Sequence, residues 1–356
     1  MFKKLALLVA LVLVVSMLFT GCGDSGDSGE GETTDVSVES WPTRPINLII
    51  PFGAGGGTDV WNRALGAAME ETLGVKVLAN NMTGGGPGGT GTSYVWNQPH
   101  DGYAIAGTSE TPLTIPVMTM DIDQTAKDWE FFIAAGSPGL LLVNANSGYS
   151  DLQSLIEAAN EKPNEIKIAS TAGGLWFLLA NLLPNYGDVP LGNVTYDGSR
   201  PSIVACVSGE TAAVAASAGE VADFIKSGDL IPLAVFDTED YEFPGYGNIE
   251  AITKFVPQIE KNLPLKQWLG FKVPVDTPDH VKAKLTEAFA VAMNSQEIKQ
   301  FAEEQYAVIF NITGEEASKF AAASQSNLCW QLFEMGMTER NPEDLGIPKP
   351  AGSFSK

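Results

Sequence analysis

Cysteine and histidine are nearly absent, with three Cys and two His in 356 residues. That is too few for a Cys/His zinc centre or a disulfide framework, so no metal, cofactor or redox chemistry is expected. Basic residues are also scarce: 21 Lys and Arg stand against 43 Asp and Glu, for a formal net charge of −22. A nucleic-acid partner needs clustered cations to neutralise phosphates, and this composition excludes one. What is present is globular: 44% hydrophobic residues, 37 Gly and 21 Pro, over a length that suits about two domains.

The apolar run from Leu5 to Phe19 has fifteen residues, short of the ~20 that a membrane-spanning helix requires. Lys3 and Lys4 precede it and Thr20-Gly21-Cys22 follows, the pattern of a secretory signal peptide. A small residue before a cysteine at this place resembles the lipobox of bacterial lipoproteins. It implies that residues 1–22 are signal and lipobox and that Cys22 is acylated, although Phe19 stands where Leu is usual. An uncleaved membrane anchor is the alternative. Either way the chain is exported, lipid-anchored to the outer face of the cell membrane or periplasmic. Residues 23–40 are Gly, Ser, Thr and acid with six carboxylates and no cation, which makes them a solvated tether.

From residue 41 short apolar runs alternate with helical periodicity. Strands are expected at 46–51, 75–79, 103–107, 166–169, 193–196, 212–216, 230–236 and 269–273, with helices between them. Gly74 ends the first helix, Ser150 with Gln153 suggests a capping box for another, and Thr313 with Glu316 suggests one for the last. Repeated βα units specify an α/β fold, each domain a mostly parallel sheet flanked by helices. The C-terminal third reads as three helices with no strand between them, packing back onto the first sheet. The expected division is therefore a discontinuous first domain, 41–138 and 265–356, and a second domain, 139–264, joined by a hinge.

Two glycine-rich turns carry the chemical signal. In Phe52-Gly53-Ala54-Gly55-Gly56-Gly57-Thr58-Asp59 the turn follows a strand and opens a helix, so bare N–H groups and the helix dipole make an anion site without a basic side chain. A dinucleotide fingerprint fails because Thr58 stands where the third Gly belongs, and Asn80 and Asn81 stand where an acid would hold a ribose. A P-loop fails for want of a lysine. The second turn, Gly84 to Gly89, sits at the next strand-to-helix junction, so both turns share one sheet edge and suit one carboxylate.

The order Trp41-Pro42-Thr43-Arg44-Pro45-Ile46, Pro51-Phe52, Thr58-Asp59, Gly85 to Gly91, Asp101-Gly102-Tyr103, Gly107-Thr108-Ser109, Tyr196-Asp197-Gly198, Gly209-Glu210 and Ile225-Lys226-Ser227-Gly228 resembles the substrate-binding proteins of tripartite tricarboxylate transporters, the Bug receptors. The resemblance spans nearly all of residues 41–338. It implies a two-domain, type II periplasmic-binding-protein-like fold, monomeric, that closes on a small carboxylate and presents it to membrane permease subunits. Carried onto this chain, it implies ligand contacts from Phe52, Gly53, Ala54, Gly55, Gly56, Gly57, Thr58 and Asp59, from Gly85, Gly86, Gly88 and Gly89, and from Ser109. The second domain would add Ser170, Thr171, Ala172, Gly173, Gly174, Tyr196, Asp197, Gly198, Ser199 and Ser217.

Departures from the family pattern bear on the cargo. Leu175, Trp176 and Phe177 replace small polar residues and a His, which implies a more apolar distal pocket. Asp197 stands where a Lys is frequent, with Arg200 as a substitute cation or as a solvated side chain. An apolar or aromatic acid therefore competes with citrate. A ligand-sensing lipoprotein for a signalling partner fits the same pocket. A nucleotide-dependent or hydrolytic enzyme fits poorly, because the Ser109 segment lacks the last Gly of a nucleophile elbow and only His100 and His280, both expected on the surface, are available as a base. Cys206 and Cys329 read as small core hydrophobes.

Overall fold

The computed structural model describes residues 40–120, 122–263 and 265–350; the expected signal segment with Cys22, and the expected tether up to residue 39, lie outside these. Strand β1 (Ile46–Ile50), an almost wholly buried apolar run, pairs in parallel with β2 (Val77–Asn81) and β3 (Ala104–Ser109). Helix α1 (Gly57–Leu73) crosses between β1 and β2 and buries Trp61, Leu65, Met69 and Leu73, one residue per turn. Gly74 stops it in the left-handed conformation, with φ at 71°. Helix α2 (Gly89–Trp96) follows β2, and the short α3 (Ile115–Thr119) follows β3.

Two strands then come in succession, β4 (Trp129–Gly136) and β5 (Gly139–Asn144), both absent from the strands expected above. Each is buried on both faces, so its sequence shows no alternation and its period cannot separate strand from helix. The alternation resumes with α4 (Leu152–Glu161), β6 (Lys167–Thr171), α5 (Leu175–Tyr186), β7 (Gly192–Tyr196), α6 (Ser199–Val207), β8 (Ala213–Ser217), α7 (Ala218–Ser227) and β9 (Leu230–Val235). A small hairpin, β10 (Tyr241–Phe243) and β11 (Gly247–Ile249), precedes β12 (Leu269–Pro274), α8 (Asp279–Asn294), α9 (Gln296–Glu304), β13 (Val308–Thr313) and α10 (Gly314–Glu334).

The strands form two larger sheets, ordered β13-β4-β12-β3-β1-β2 and β7-β6-β8-β5-β9. The chain passes between them at residues 137–138 and again over 236–268. Both sheets are mixed rather than mostly parallel. Strand β12 arrives from the second sheet and lies antiparallel to β3 and β4, and β5 lies antiparallel to β8 and β9. A strand entering by a direct crossing lacks the helical return that enforces parallel pairing.

The C-terminal third also differs from expectation, because β13 stands between α9 and α10 as an edge strand on β4. Its register shifts between Ile309 and Ile312, and Asn311 has a φ of 52°, so the bulge hides the strand's period. The end of α10 buries Leu328, Cys329 and Leu332 in one cluster with Leu175, Leu178 and Leu182 of α5, so this helix touches the layers of both sheets. Two caps differ as well. Asp151, not Ser150, caps α4 by accepting from Ser154 N, and Thr313 precedes α10 without a side-chain cap bond.

Between α1, α8 and the first sheet, Phe132 stacks on Phe271 at 4.5 Å and both meet Phe289 edge-on. Each such fully buried ring contributes about 1.5–3 kcal/mol of transfer free energy. On the other face Lys272 is completely buried, its Nζ has no hydrogen-bond partner, and it lies 4.2 Å from the centroid of the Trp129 ring. Burial pulls its amine down to about 7.

Candidate functional site

The first glycine-rich turn leaves the carboxyl end of β1 and enters α1 at Gly56, which caps the helix without a side chain. Its shape is held from behind. Asp59, only 3% exposed, accepts from Gly55 N (2.9 Å), Arg63 Nε (2.8 Å) and Asn81 Nδ2 (2.8 Å). Asn81 also donates to Phe52 O, so the residue standing where a ribose-binding acid would be closes a brace under the turn.

The second turn runs from β2 into α2 with Gly84, Gly85, Gly86 and Gly88 all at positive φ. A side chain at Gly85 would come within 2.9 Å of Thr90 N, which is bonded to Gly84 O, so this turn requires glycine both for its dihedral and for its closure.

Opposite these, the ends of β6, β7 and β8 supply the turns of the second sheet. Thr171 Oγ1 donates to Gly173 O (2.5 Å), Ala172 N donates to Tyr196 O (2.7 Å), and Gly198 opens α6. The two sets of turns meet. A Cβ on Gly174 would lie 2.4 Å from Thr111 Oγ1, and one on Gly173 would lie 2.9 Å from Ile115. Between them the cleft holds a cavity of about 270 Å³ that is partly open to solvent.

Of the residues singled out from sequence, the cavity is lined by Phe52, Gly53, Ala54, Gly56, Gly57 and Thr58, by Gly86, Gly88 and Ser109, and by Thr171, Ala172, Gly173, Tyr196, Asp197, Gly198 and Ser199. Gly55, Asp59, Gly85, Gly89, Ser170, Gly174 and Ser217 are not in its wall. Gly55 and Asp59 belong to the brace. Ser170 donates inside the second sheet to Asn193 Oδ1 (2.8 Å), and Ser217 caps α7. Gly85 and Gly89 shape the second turn, and Gly174 packs on Thr111. In the apolar trio, Trp176 lines the cavity, Phe177 lines a neighbouring one with Ile115 and Met337, and Leu175 is in the core.

Glu110, Thr111, Arg200, Glu220 and Gln267 also line the cavity. Glu220 Oε1 accepts from Gly57 N (3.0 Å) and from Ser199 Oγ, and its Oε2 accepts from Ser217 Oγ (2.6 Å). The Ser217-x-x-Glu220 spacing is a capping-box signature that marks this glutamate in the sequence. Gln267 has no local signal, since only the second crossing segment brings it here. Burial raises the Glu110 carboxyl to about 7, opposed by hydrogen bonds from backbone N–H groups, Trp268 N among them, and from Thr111 Oγ1. The Tyr196 hydroxyl is turned to Glu210 (2.9 Å), and burial, then that carboxylate, pushes it upward.

Neither histidine lines the cavity. His100 is half-buried, with Nδ1 at 2.5 Å from Asp276 and Nε2 at 2.9 Å from Trp96 O, so it is less exposed than expected; His280 is exposed. Ser109 Oγ, which an enzyme would need beside a base, accepts from Thr111 N (3.3 Å). Among the described residues no helix is long and apolar enough to cross a membrane.

A cleft between two α/β lobes, walled by backbone turns, is the arrangement of a solute-binding protein. The family described as tripartite tricarboxylate transporter family receptor matches residues 62–331, and the chain belongs to this family of receptors, not of enzymes. It is 30% identical over 214 residues to Protein BugT of Bordetella pertussis, covering 59% of this chain and 65% of that one. It is 33% identical over 176 residues to a UPF0065 protein from the tcbD-tcbE intergenic region of a Pseudomonas species, covering 48% and 52%. The matches thus span less than two thirds of either relative's length. The fold is shared with R. palustris Rpa4515, solved with adipate, at a TM-score of 0.75 and 24% identity over 83% of this chain and 98% of that one.

Proposed function

We propose that this chain is an extracytoplasmic receptor that captures a small carboxylate between its lobes and delivers it to the membrane subunits of a tripartite tricarboxylate-type transporter. The observation that carries the reading is the facing of two glycine-rich turns, at the carboxyl ends of β1 and β2, across one cavity from the turns after β6 and β7. Backbone N–H groups at a helix start favour an anion without a dedicated cation, and adipate in the structurally similar Rpa4515 is such an anion. The lobes divide at 41–138 with 265–356 and at 139–264, and closure follows from tighter ligand contact in the closed state than in the open one. Residues 1–22 act as the lipoprotein signal, Cys22 carries the lipid, and residues 23–40 hold a monomeric receptor off the membrane.

A thermal-shift screen of mono-, di- and tricarboxylates, aromatic acids, sugars and nucleotides, followed by calorimetry, tests the reading. A ligand at 100 times its dissociation constant stabilises by ~2.7 kcal/mol. Carboxylate hits support the receptor; sugar or nucleotide hits with carboxylates silent overturn it.

A further inference from the structure

We propose that Tyr306 is a latch between the lobes, set outside the ligand cavity, that favours the lobe arrangement seen here whether or not a ligand is bound. The proposal rests on the two-lobe closure above and goes beyond it, because it makes closure partly independent of the ligand.

Helix α9 ends in a Schellman motif: Ala307 N donates to Ala302 O at 2.9 Å and Tyr306 N donates to Glu303 O at 3.2 Å. The motif needs its first residue beyond the cap in the left-handed conformation, and Tyr306 stands there with a φ of 50°. Helix ends place glycine at this point because a Cβ crowds the next carbonyl. A tyrosine persists there only when its surroundings hold it.

What holds it belongs to the other lobe. Ala307, the next residue, packs on the core of the first sheet, whereas Tyr306 packs on the core of the second. Its ring stacks on Phe243 at 4.6 Å with the planes 17° apart, and Phe243, on the β10-β11 hairpin, is completely buried. Lys226 Nζ, from α7, lies over the same ring, 4.9 Å from its centroid.

The turn also presses on the start of α7. Gln305 O lies against Gly219, where a Cβ would collide with it, so only glycine fits. Gly219 N donates to Ser137 Oγ at 3.3 Å, in the first crossing between the sheets. Glu220, one residue on, accepts from Gly57 N across the cleft. Residues 305 and 306 thus steady both ends of the helix that carries this cross-cleft bond. Neither Tyr306, Phe243 nor Lys226 lines the cavity, so the ring acts on the lobes and not on a bound solute. Contacts made in one arrangement of the lobes shift the population toward it.

Hydrogen exchange of the purified full chain with no solute added, resolved to single amides by fragmentation mass spectrometry, tests this. The Gly57 amide is the reporter, because its acceptor belongs to the other lobe. Tyr306→Gly removes the ring and supplies the residue that the turn's backbone favours. It is expected to speed Gly57 exchange about three- to tenfold while the amides of β1 and β3 keep their wild-type rates. Tyr306→Phe, which keeps the stack, stays close to the wild-type rate at Gly57. An unchanged Gly57 rate in Tyr306→Gly overturns the latch, and so does equal acceleration in β1 and β3, which marks a loss of lobe stability instead. A wild-type Gly57 amide as slow as those strands means that the lobes do not part, and overturns the latch and the two-lobe closure together.

Discussion

The backbone N–H of Gly57, at the start of α1, donates to Glu220, at the start of α7, over 3.0 Å. A carboxylate of the second lobe thus sits on the positive helix end of the first, where the dipole favours negative charge. Ser199 and Ser217 hold the same carboxylate from its own side, so one glutamate joins three turns.

Removing it loosens the closed state. Glu220→Ala is expected to weaken closure by about 1.5–3 kcal/mol, the worth of a hydrogen bond to a charged group. Small-angle scattering of the ligand-free variant should show a larger radius of gyration than the wild type, and an unchanged radius refutes the clasp.

Bulk at the meeting turns opens the cleft from the other side. At Gly56 a Cβ meets Ser199 Oγ at 3.5 Å and Glu220 Oε1 at 3.7 Å, and at Gly173 it meets Ile115 and Pro87. Gly56→Leu and Gly173→Val are expected to weaken ligand binding at least tenfold while circular dichroism stays unchanged. Wild-type affinity in calorimetry would count against both turns as cleft walls.

Two buried titratable groups set opposite slopes of stability against pH. Glu110 is raised from 4.5 to about 7, so between these values the folded state holds a proton that the unfolded state has released, and stability falls as pH rises. Lys272 is lowered from 10.5 to about 7, so between 7 and 10.5 the unfolded state holds the extra proton and stability rises with pH. Lys272→Met is expected to add on the order of 2–4 kcal/mol at pH 7 and to flatten the alkaline limb. Urea titrations at pH 5, 7 and 9 check both slopes, and a variant no more stable than wild type at pH 7 refutes the Lys272 assignment.

Thiol reactivity reports on the N-terminus. Burial pushes the Cys206 thiol up to about 12 and raises Cys329 as well, and both are buried, so neither reacts in the native state. Protein taken from its host membrane is therefore expected to titrate no native thiol when Cys22 bears a lipid, and one when it does not. Mass spectrometry of the N-terminal peptide decides the same point independently.

Much of this architecture is legible from local pattern. The residues of β1 and α1 and the turn between them carry period and breaker in adjacent positions. What escapes is what depends on distant partners. Strands β4 and β5 have both faces covered, so apolar residues follow one another without alternation; β13 is broken by its own bulge. In the site, the glycine turns announce themselves, whereas Gln267 acquires its place only when the chain recrosses. Asp59 carries the right chemistry but faces inward, because Gly55, Arg63 and Asn81 claim it first.

The position of β12 has a consequence for how the molecule assembles. The second sheet is drawn from one continuous stretch, 139–235, but the first places a strand from residues 269–274 between β3 and β4. Pairing β3 with β12 closes a loop of more than a hundred residues, a slow step whose entropy is recovered only once the contact exists. The second lobe is therefore expected to consolidate first. Pulsed hydrogen exchange during refolding should protect the amides of β5, β8 and β9 before those of β3 and β12.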